Sequence, residues 1–254
     1  MTRTTRQHII AMGGGGFSME PDNPLLDDYV LGLTAKARPR VCFVPTASGD
    51  AAGYIDKFRS AFGPARAEAS VLTLFRTGDE KIADPRAHLL DQDIIYVGGG
   101  STANLLAVWR VHGIDKAMRE AWERGVILAG ISAGMNCWFE SSVTDSFGGV
   151  PAPLHDGLGL LPDSACPHYD GEPERRPAYR RLVADGTLPA GYAADDGAAL
   201  HFMGTELMQV VTSRPGAHAY RVRCGEGGIV EEPLPVRYLG CSDAAGPARA
   251  RAEQ

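Results

Sequence analysis

Gly130-Ile131-Ser132-Ala133-Gly134 lies between the apolar run Val126–Ala129 and a stretch of helical pattern. A G-x-S-x-G pattern between a strand and a helix is the setting of a nucleophile elbow. A sharp turn there lifts the serine Oγ off the sheet, and flanking glycines remove side chains that would clash. The next backbone N–H, that of Ala133, then points at the oxyanion that develops in acyl transfer. A serine nucleophile needs a base, most often histidine. Among seven histidines, His168 in Ala165–Asp170 (ACPHYD) is the best placed, just after the turn-rich Pro162-Asp163-Ser164. His155 and His201 are rivals. His8 opens the first apolar run, and His88, His112 and His218 fall on expected helix or hairpin surfaces. A carboxylate must then fix the imidazole tautomer. Asp195 and Asp196 stand side by side before the apolar run Ala198–Phe202, with Asp145 and Asp170 as alternatives. In an extended chain neighbours point to opposite sides, so one of the adjacent pair faces the site and the other faces solvent. The order Ser, His, Asp disfavours an α/β-hydrolase, whose order is Ser, Asp, His.

Two glycine clusters follow apolar runs. Gly13–Gly16 lacks a G-x-G-x-x-G spacing and the lysine of a phosphate-binding loop, which argues against a nucleotide site. Gly98–Gly100 falls at the carboxyl end of an expected strand, where open α/β sheets bind ligands. It reads as a tight turn, as a backbone N–H offered to a reacting carbonyl, or as both.

The elements that must carry these groups alternate. Strands are expected at His8–Met12, Arg40–Pro45, Ser70–Phe75, Asp93–Val97 and Val126–Ala129. Helices are expected at Asp22–Ala37, Gly53–Phe62, Pro85–Leu90 and Ala103–Arg124, the last broken at Gly113. Strand, glycine loop, helix, repeated, is the pattern of a doubly wound sheet covered on both faces. Ala198–Val211 and His218–Val222 read instead as antiparallel strands with a hairpin. One domain over 1–240 is expected, with a disordered tail over 241–254 that is small and charged.

Bulk properties narrow the function. The 254 residues are 44% hydrophobic and 22% charged, as in ordinary globular proteins. A net charge of −6 argues against nucleic acid or an anionic membrane as partner. No apolar run approaches a membrane span, and the N-terminus lacks a signal-peptide pattern, so a cytoplasmic setting is expected. The five cysteines, Cys42, Cys137, Cys166, Cys224 and Cys241, contain no C-x-x-C pair, which argues for reduced thiols over disulfides or zinc.

Five ordered stretches together resemble the peptidase E family of serine peptidases, relatives of cyanophycinase: VGGGSTANLL at Val97–Leu106, GISAGMN at Gly130–Asn136, SVTD at Ser142–Asp145, CPHYD at Cys166–Asp170 and DDGAAL at Asp195–Leu200. The resemblance implies a three-layer αβα sandwich with a mostly parallel, flavodoxin-like sheet of the class I glutamine amidotransferase type and a C-terminal antiparallel hairpin. It implies Ser132 as nucleophile, His168 as general base and Asp196 as the acid, where the family commonly has glutamate. It makes Gly100 the second oxyanion donor beside Ala133. Ser101, where family members often carry asparagine, and the following Thr102 fall among the substrate contacts. Asp145 and Arg175 look like substrate-binding positions, with Arg176, Arg180 and Arg181 as competing cations. The implied activity is that of a serine exopeptidase acting on dipeptides or short peptides with N-terminal aspartate, without metal or cofactor. The expected partner is a short acidic peptide, with a homodimer as a further expectation. Two alternatives stand beside it: a hydrolase of β-aspartyl or other acidic amides, and a non-catalytic relative that binds a small molecule. A glutamine amidotransferase would need cysteine at position 132; Cys137, further into the helix, is read as packing.

Overall fold

The computed structural model describes residues 7–75 and 82–240, so Cys241 and the expected tail lie outside the described residues. The described residues form fourteen strands: β1 (His8–Met12), β2 (Arg40–Val44), β3 (Glu68–Val71), β4 (Ile94–Val97), β5 (Ile127–Ile131), β6 (Phe139–Thr144), β7 (Ala152–Leu154), β8 (Leu161–Cys166), β9 (Gly191–Ala194), β10 (Ala198–Met203), β11 (Glu206–Thr212), β12 (Ala219–Gly225), β13 (Gly228–Pro233) and β14 (Val236–Tyr238). They form an eight-stranded sheet, β14-β11-β10-β1-β5-β4-β2-β3, and a six-stranded sheet, β13-β12-β9-β8-β6-β7. In the first sheet β1, β5, β4, β2 and β3 are parallel. The expected C-terminal hairpin is β10–β11, and β10 joins β1 antiparallel.

The inner parallel strands β1, β5, β4 and β2 are largely apolar because both of their faces are covered, whereas the edge strand β3 is mostly exposed. In β1, Ile9 and Ala11 join one core while Ile10 and Met12 join another. Leu105, Leu106 and Trp109 of the helix Thr102–His112 cover the first face. Leu26 and Val30 of the helix Leu25–Gly32, with Phe58 of the helix Ala52–Ala61, cover the second. This is the αβα sandwich, with the second sheet as an addition. That sheet packs the helix Arg175–Ala184 through Tyr179, Leu182 and Val183 against Val143, Cys166 and Val222.

Several bounds shift by one or two residues, and three expectations change more. The strand expected at Ser70–Phe75 runs instead over Glu68–Val71. Asp50 Oδ2 accepts from both Leu74 N and Phe75 N, each at 2.7 Å, so the chain turns to that carboxylate and leaves the sheet. The helix expected at Asp22–Ala37 is confined to Leu25–Gly32, starting just after Pro24. His218–Val222 contributes to β12, which belongs to the second sheet and forms a hairpin with β13.

Candidate active site

Ser132 follows the last residue of β5 and precedes the short helix Ala133–Asn136. Its backbone sits at φ 58, ψ −108. A non-glycine residue in so sparsely populated a region costs about 1–3 kcal/mol and persists only where its surroundings enforce it. They do. Ser132 N donates to Met12 O at 3.0 Å, and Ser132 O accepts from Met135 N and Asn136 N at 2.9 Å. Gly134 is pressed against β4, and a Cβ there would overlap the Val97 carbonyl oxygen.

The end of β1 gathers the rest. Three successive carbonyls serve three segments: Met12 O accepts from Ser132 N, Gly13 O from His168 N at 3.3 Å, and Gly14 O from Gly197 N at 3.0 Å. Gly14 also forms a bridge with Asp196. His168, itself at φ 52, places Nδ1 2.7 Å from Asp196 Oδ1. Asp196 is 7% exposed, and its backbone N–H donates to Asp170 Oδ1 at 2.8 Å. A Cβ on Gly14 would overlap Asp196 Oδ1, and one on Gly171 would overlap Oδ2. The glycines therefore admit the carboxylate.

Of the two adjacent acids, Asp196 meets His168. Asp195 turns away and accepts from His218 N at 2.9 Å. Burial, with Asp170 adding a like charge, pushes its carboxyl up to about 6. A proton on His168 Nδ1, donated to Asp196, leaves Nε2 as the basic nitrogen. Among the described residues no hydrogen bond joins the Ser132 hydroxyl to His168. The rival His201 is occupied elsewhere, with Nε2 2.8 Å from His8 Nδ1 and Nδ1 2.5 Å from Tyr29 Oη. His155 is exposed.

The triglycine turn lies against the elbow: a Cβ on Gly99 would stand 3.2 Å from Ser132 Cβ. Gly99 N–H donates to Tyr54 Oη at 3.2 Å, and Gly100 follows at φ 133. Ser101 Oγ accepts from Asn104 N at 3.3 Å and caps the helix Thr102–His112. Thr102 is buried, and its Oγ1 accepts from Asn136 Nδ2 at 3.3 Å. Both hydroxyls are thus engaged within the protein.

Asp145 and Arg175 are brought together. Arg175, 3% exposed, donates from Nε to Glu172 Oε2 at 2.5 Å and from Nη1 to Val143 O at 3.1 Å, and its Nη2 lies 3.3 Å from Asp145 Oδ1. Val143 O also accepts from Asn136 Nδ2 at 3.1 Å, and Asn136 N bonds Ser132 O, so this cluster is tied to the elbow. Arg176 and Arg180 pair with Glu231 instead, and Arg181 is exposed. Cys137 is buried with Sγ 3.3 Å from Gly134 O, and burial pushes its thiol well up.

Sequence reasoning missed Gly14 and Gly171 as the cradle of the acid, Gly13 as the point where the Ala194–Asp195 backbone approaches, and Tyr54 as the acceptor for the triglycine turn. The glycine run after the first strand was a signal of close backbone approach, but what approaches comes from residues more than 150 positions away. Among the described residues no cluster of three or more His, Cys, Asp or Glu could hold a metal ion, and no helix is long and apolar enough to cross a membrane.

Known proteins resemble this chain in sequence and in fold. The uncharacterized peptidase YgaJ of Bacillus subtilis (strain 168) is 53% identical over 234 residues, covering 92% of this chain and 100% of that protein. Peptidase E of Shewanella amazonensis is 30% identical over 201 residues, covering 73% of this chain and 81% of that one. The crystal structure of a peptidase from an acI-B1 Actinobacterium superposes with a TM-score of 0.65 at 19% identity, covering 92% and 96% of the two chains, a likeness of fold. The family model described as Peptidase family S51 matches residues 9–210, and the chain belongs to that family of serine-type peptidases.

Proposed function

We propose that this peptidase is an exopeptidase that releases N-terminal aspartate from dipeptides or short peptides through Ser132, His168 and Asp196. The observation that carries the reading is the 2.7 Å contact between His168 and Asp196, held with Ser132 on three successive carbonyls of one strand end. Ser132 Oγ attacks the scissile carbonyl carbon while His168 Nε2 takes its proton. Asp196 keeps the imidazole in the productive tautomer and stabilises the imidazolium. The Ala133 and Gly100 N–H groups receive the oxyanion, one such donor being worth about 3 kcal/mol of barrier. The engagement of Gly99 N–H by Tyr54 supports Gly100 as the second donor. His168 returns the proton to the leaving nitrogen, and water hydrolyses the acyl-enzyme. Hydrogen bonds between nucleophile and base are often longer in unliganded enzymes and tighten on binding.

Arg175 supplies the cation for the substrate carboxylate, a match of planar groups that arginine makes better than lysine. Of its contacts, the one to half-exposed Asp145 is the longest, at 3.3 Å, and is the one a substrate carboxylate replaces. Asp145 then takes the free α-ammonium. The same proposal sets the enzyme in the cytoplasm.

Hydrolysis of Asp-Leu, Leu-Leu and β-Asp-Leu by wild type and Ser132→Ala tests the proposal. Asp-Leu is cleaved, Leu-Leu is not, and Ser132→Ala lowers kcat by roughly three to six decades with the fold intact. Normal turnover by Ser132→Ala removes the nucleophile assignment, and preferential cleavage of β-Asp-Leu moves the substrate to isopeptide-like amides.

A further inference from the structure

A cleft of about 580 Å³ opens on the segment that follows His168, lined by Tyr169, Asp170, Glu172, Arg176 and Arg180 among others. Asp170 belongs both to this cleft and to the site, because its Oδ1 holds the Asp196 backbone N–H. Two guanidinium groups share one carboxylate here. Arg176 donates from Nε and Nη2 to Glu231 at 3.1 and 3.0 Å, and Arg180 donates to the same group from Nη1. The Arg176 guanidinium also rests 5.4 Å from the centre of the Tyr169 ring. Glu231 is 9% exposed, whereas Arg176 and Arg180 are 50% and 43% exposed. Among the described residues Arg180 Nε and Nη2 have no acceptor. The pairings leave one positive charge in excess at Arg176 and Arg180. They leave one negative charge at Asp170, since Glu172 is spent on Arg175.

We propose that this cleft is the leaving-group subsite, which holds the residue on the C-terminal side of the scissile bond and takes its free α-carboxylate on Arg180, with Arg176 beside it. The inference rests on the catalytic reading above. A departing amino acid carries the complementary charges. As the C–N bond breaks, the proton that left Ser132 passes through His168 to the nitrogen, which departs as a neutral amine; a second proton taken from solvent makes it an ammonium beside Asp170. Its carboxylate meets the unpaired donors of Arg180. Such a subsite favours dipeptides, whose second residue ends in a carboxylate, over amidated peptides.

The test compares kcat/KM for Asp-Leu and Asp-Leu amide in wild type, Arg180→Gln and Arg180→Lys. Wild type prefers the free acid. Arg180→Gln lowers the acid-to-amide ratio roughly 10- to 100-fold, as loss of a hydrogen bond to a charged group implies. Arg180→Lys restores part of it. Because Arg180 is half-exposed, an unchanged melting temperature verifies folding. A wild type without preference, or an Arg180→Gln with the wild-type ratio, overturns the subsite. A second readout needs no peptide: free leucine, but not leucinamide, slows fluorophosphonate labelling of Ser132 in wild type and not in Arg180→Gln. If Ser132 labels but no aspartyl peptide is cleaved, the substrate reading fails while leucine protection still decides the cleft.

Discussion

At position 196 one carboxylate oxygen faces His168 Nδ1 at 2.7 Å, while the neighbouring carboxylate of Asp195 faces a backbone amide of another loop. The two acids therefore have separable roles, and substitution separates them. Asp196→Asn keeps the shape but can present a donor to Nδ1, which favours the wrong tautomer; a drop in kcat of about 10⁴-fold is expected, with the melting temperature almost unchanged. Asp195→Asn, by contrast, weakens the bond to His218 N and is expected to lower stability by about 1–2 kcal/mol while leaving kcat within a few-fold. Steady-state kinetics and urea denaturation on both variants check the pair; equal losses of kcat would refute the division. The serine, the histidine and the acidic pair could be picked from the sequence as candidates because chemistry fixes their types and the elbow fixes a spacing. Residue chemistry alone left open which acid meets His168, and only the resemblance pointed to Asp196. Alternation says that neighbours diverge, but the side facing the site is set by the pairing of Gly14 with Asp196, a contact across 182 positions of chain.

Among the elements, β1 does most to assemble the site. Its last carbonyl and the next two hold the elbow, the histidine segment and the acid segment in turn. A side chain at Gly14 has nowhere to go except into Asp196 Oδ1. Gly14→Ala is expected to displace the acid by a few tenths of an ångström or more and to lower kcat about 10²-fold, the scale of loss that misplaced catalytic groups show. The accompanying stability loss is about 1–3 kcal/mol, as for other overpacked positions. Asp-Leu hydrolysis measured beside a urea titration checks both, and wild-type turnover would show that the cradle is not tight. The strands of the parallel core could be read because HIIAM, RVCFV, IIYV and ILAGI are buried on both faces and, apart from the half-buried His8 and Arg40 that open the first two, are apolar. Most of the second sheet could not, β12 being anticipated in His218–Val222. FESSVT, APL, LPDSAC and GYAA are short, polar or built from small residues, and they become strands only through the partners the fold supplies. The third strand shifted for a related reason: Asp50, more than twenty residues upstream, captures the two amides that would have extended it.

Across the whole molecule, groups with no part in the reaction set how stability responds to pH. Tyr29, bonded to Gln209, contacts His201, which in turn contacts His8 where β1 begins, four residues from the Met12 carbonyl that holds the elbow. Burial first, and His8 second, hold the His201 imidazole down to about 4. Asp27 is buried against Tyr96 Oη at 2.9 Å, and burial pushes its carboxyl up to about 6. The two act in opposite directions. For His201 the unfolded chain binds the proton more readily, so its contribution is present above pH 6.5 and is lost as pH falls toward 4. For Asp27 the folded chain binds the proton more readily, so its contribution is present below pH 3.8 and is lost as pH rises through 6. Asp195 shifts in the same direction as Asp27. Urea denaturation of wild type, His201→Gln and Asp27→Asn at about pH 4.5 and about pH 7.5 isolates each contribution. The cost of His201→Gln should be smaller at the lower pH by about 1–2 kcal/mol, allowing for solvent screening. The cost of Asp27→Asn should be larger at the lower pH by about 2 kcal/mol. Both differences with the same sign would mean that at least one of these groups keeps its ordinary affinity for protons in the folded protein.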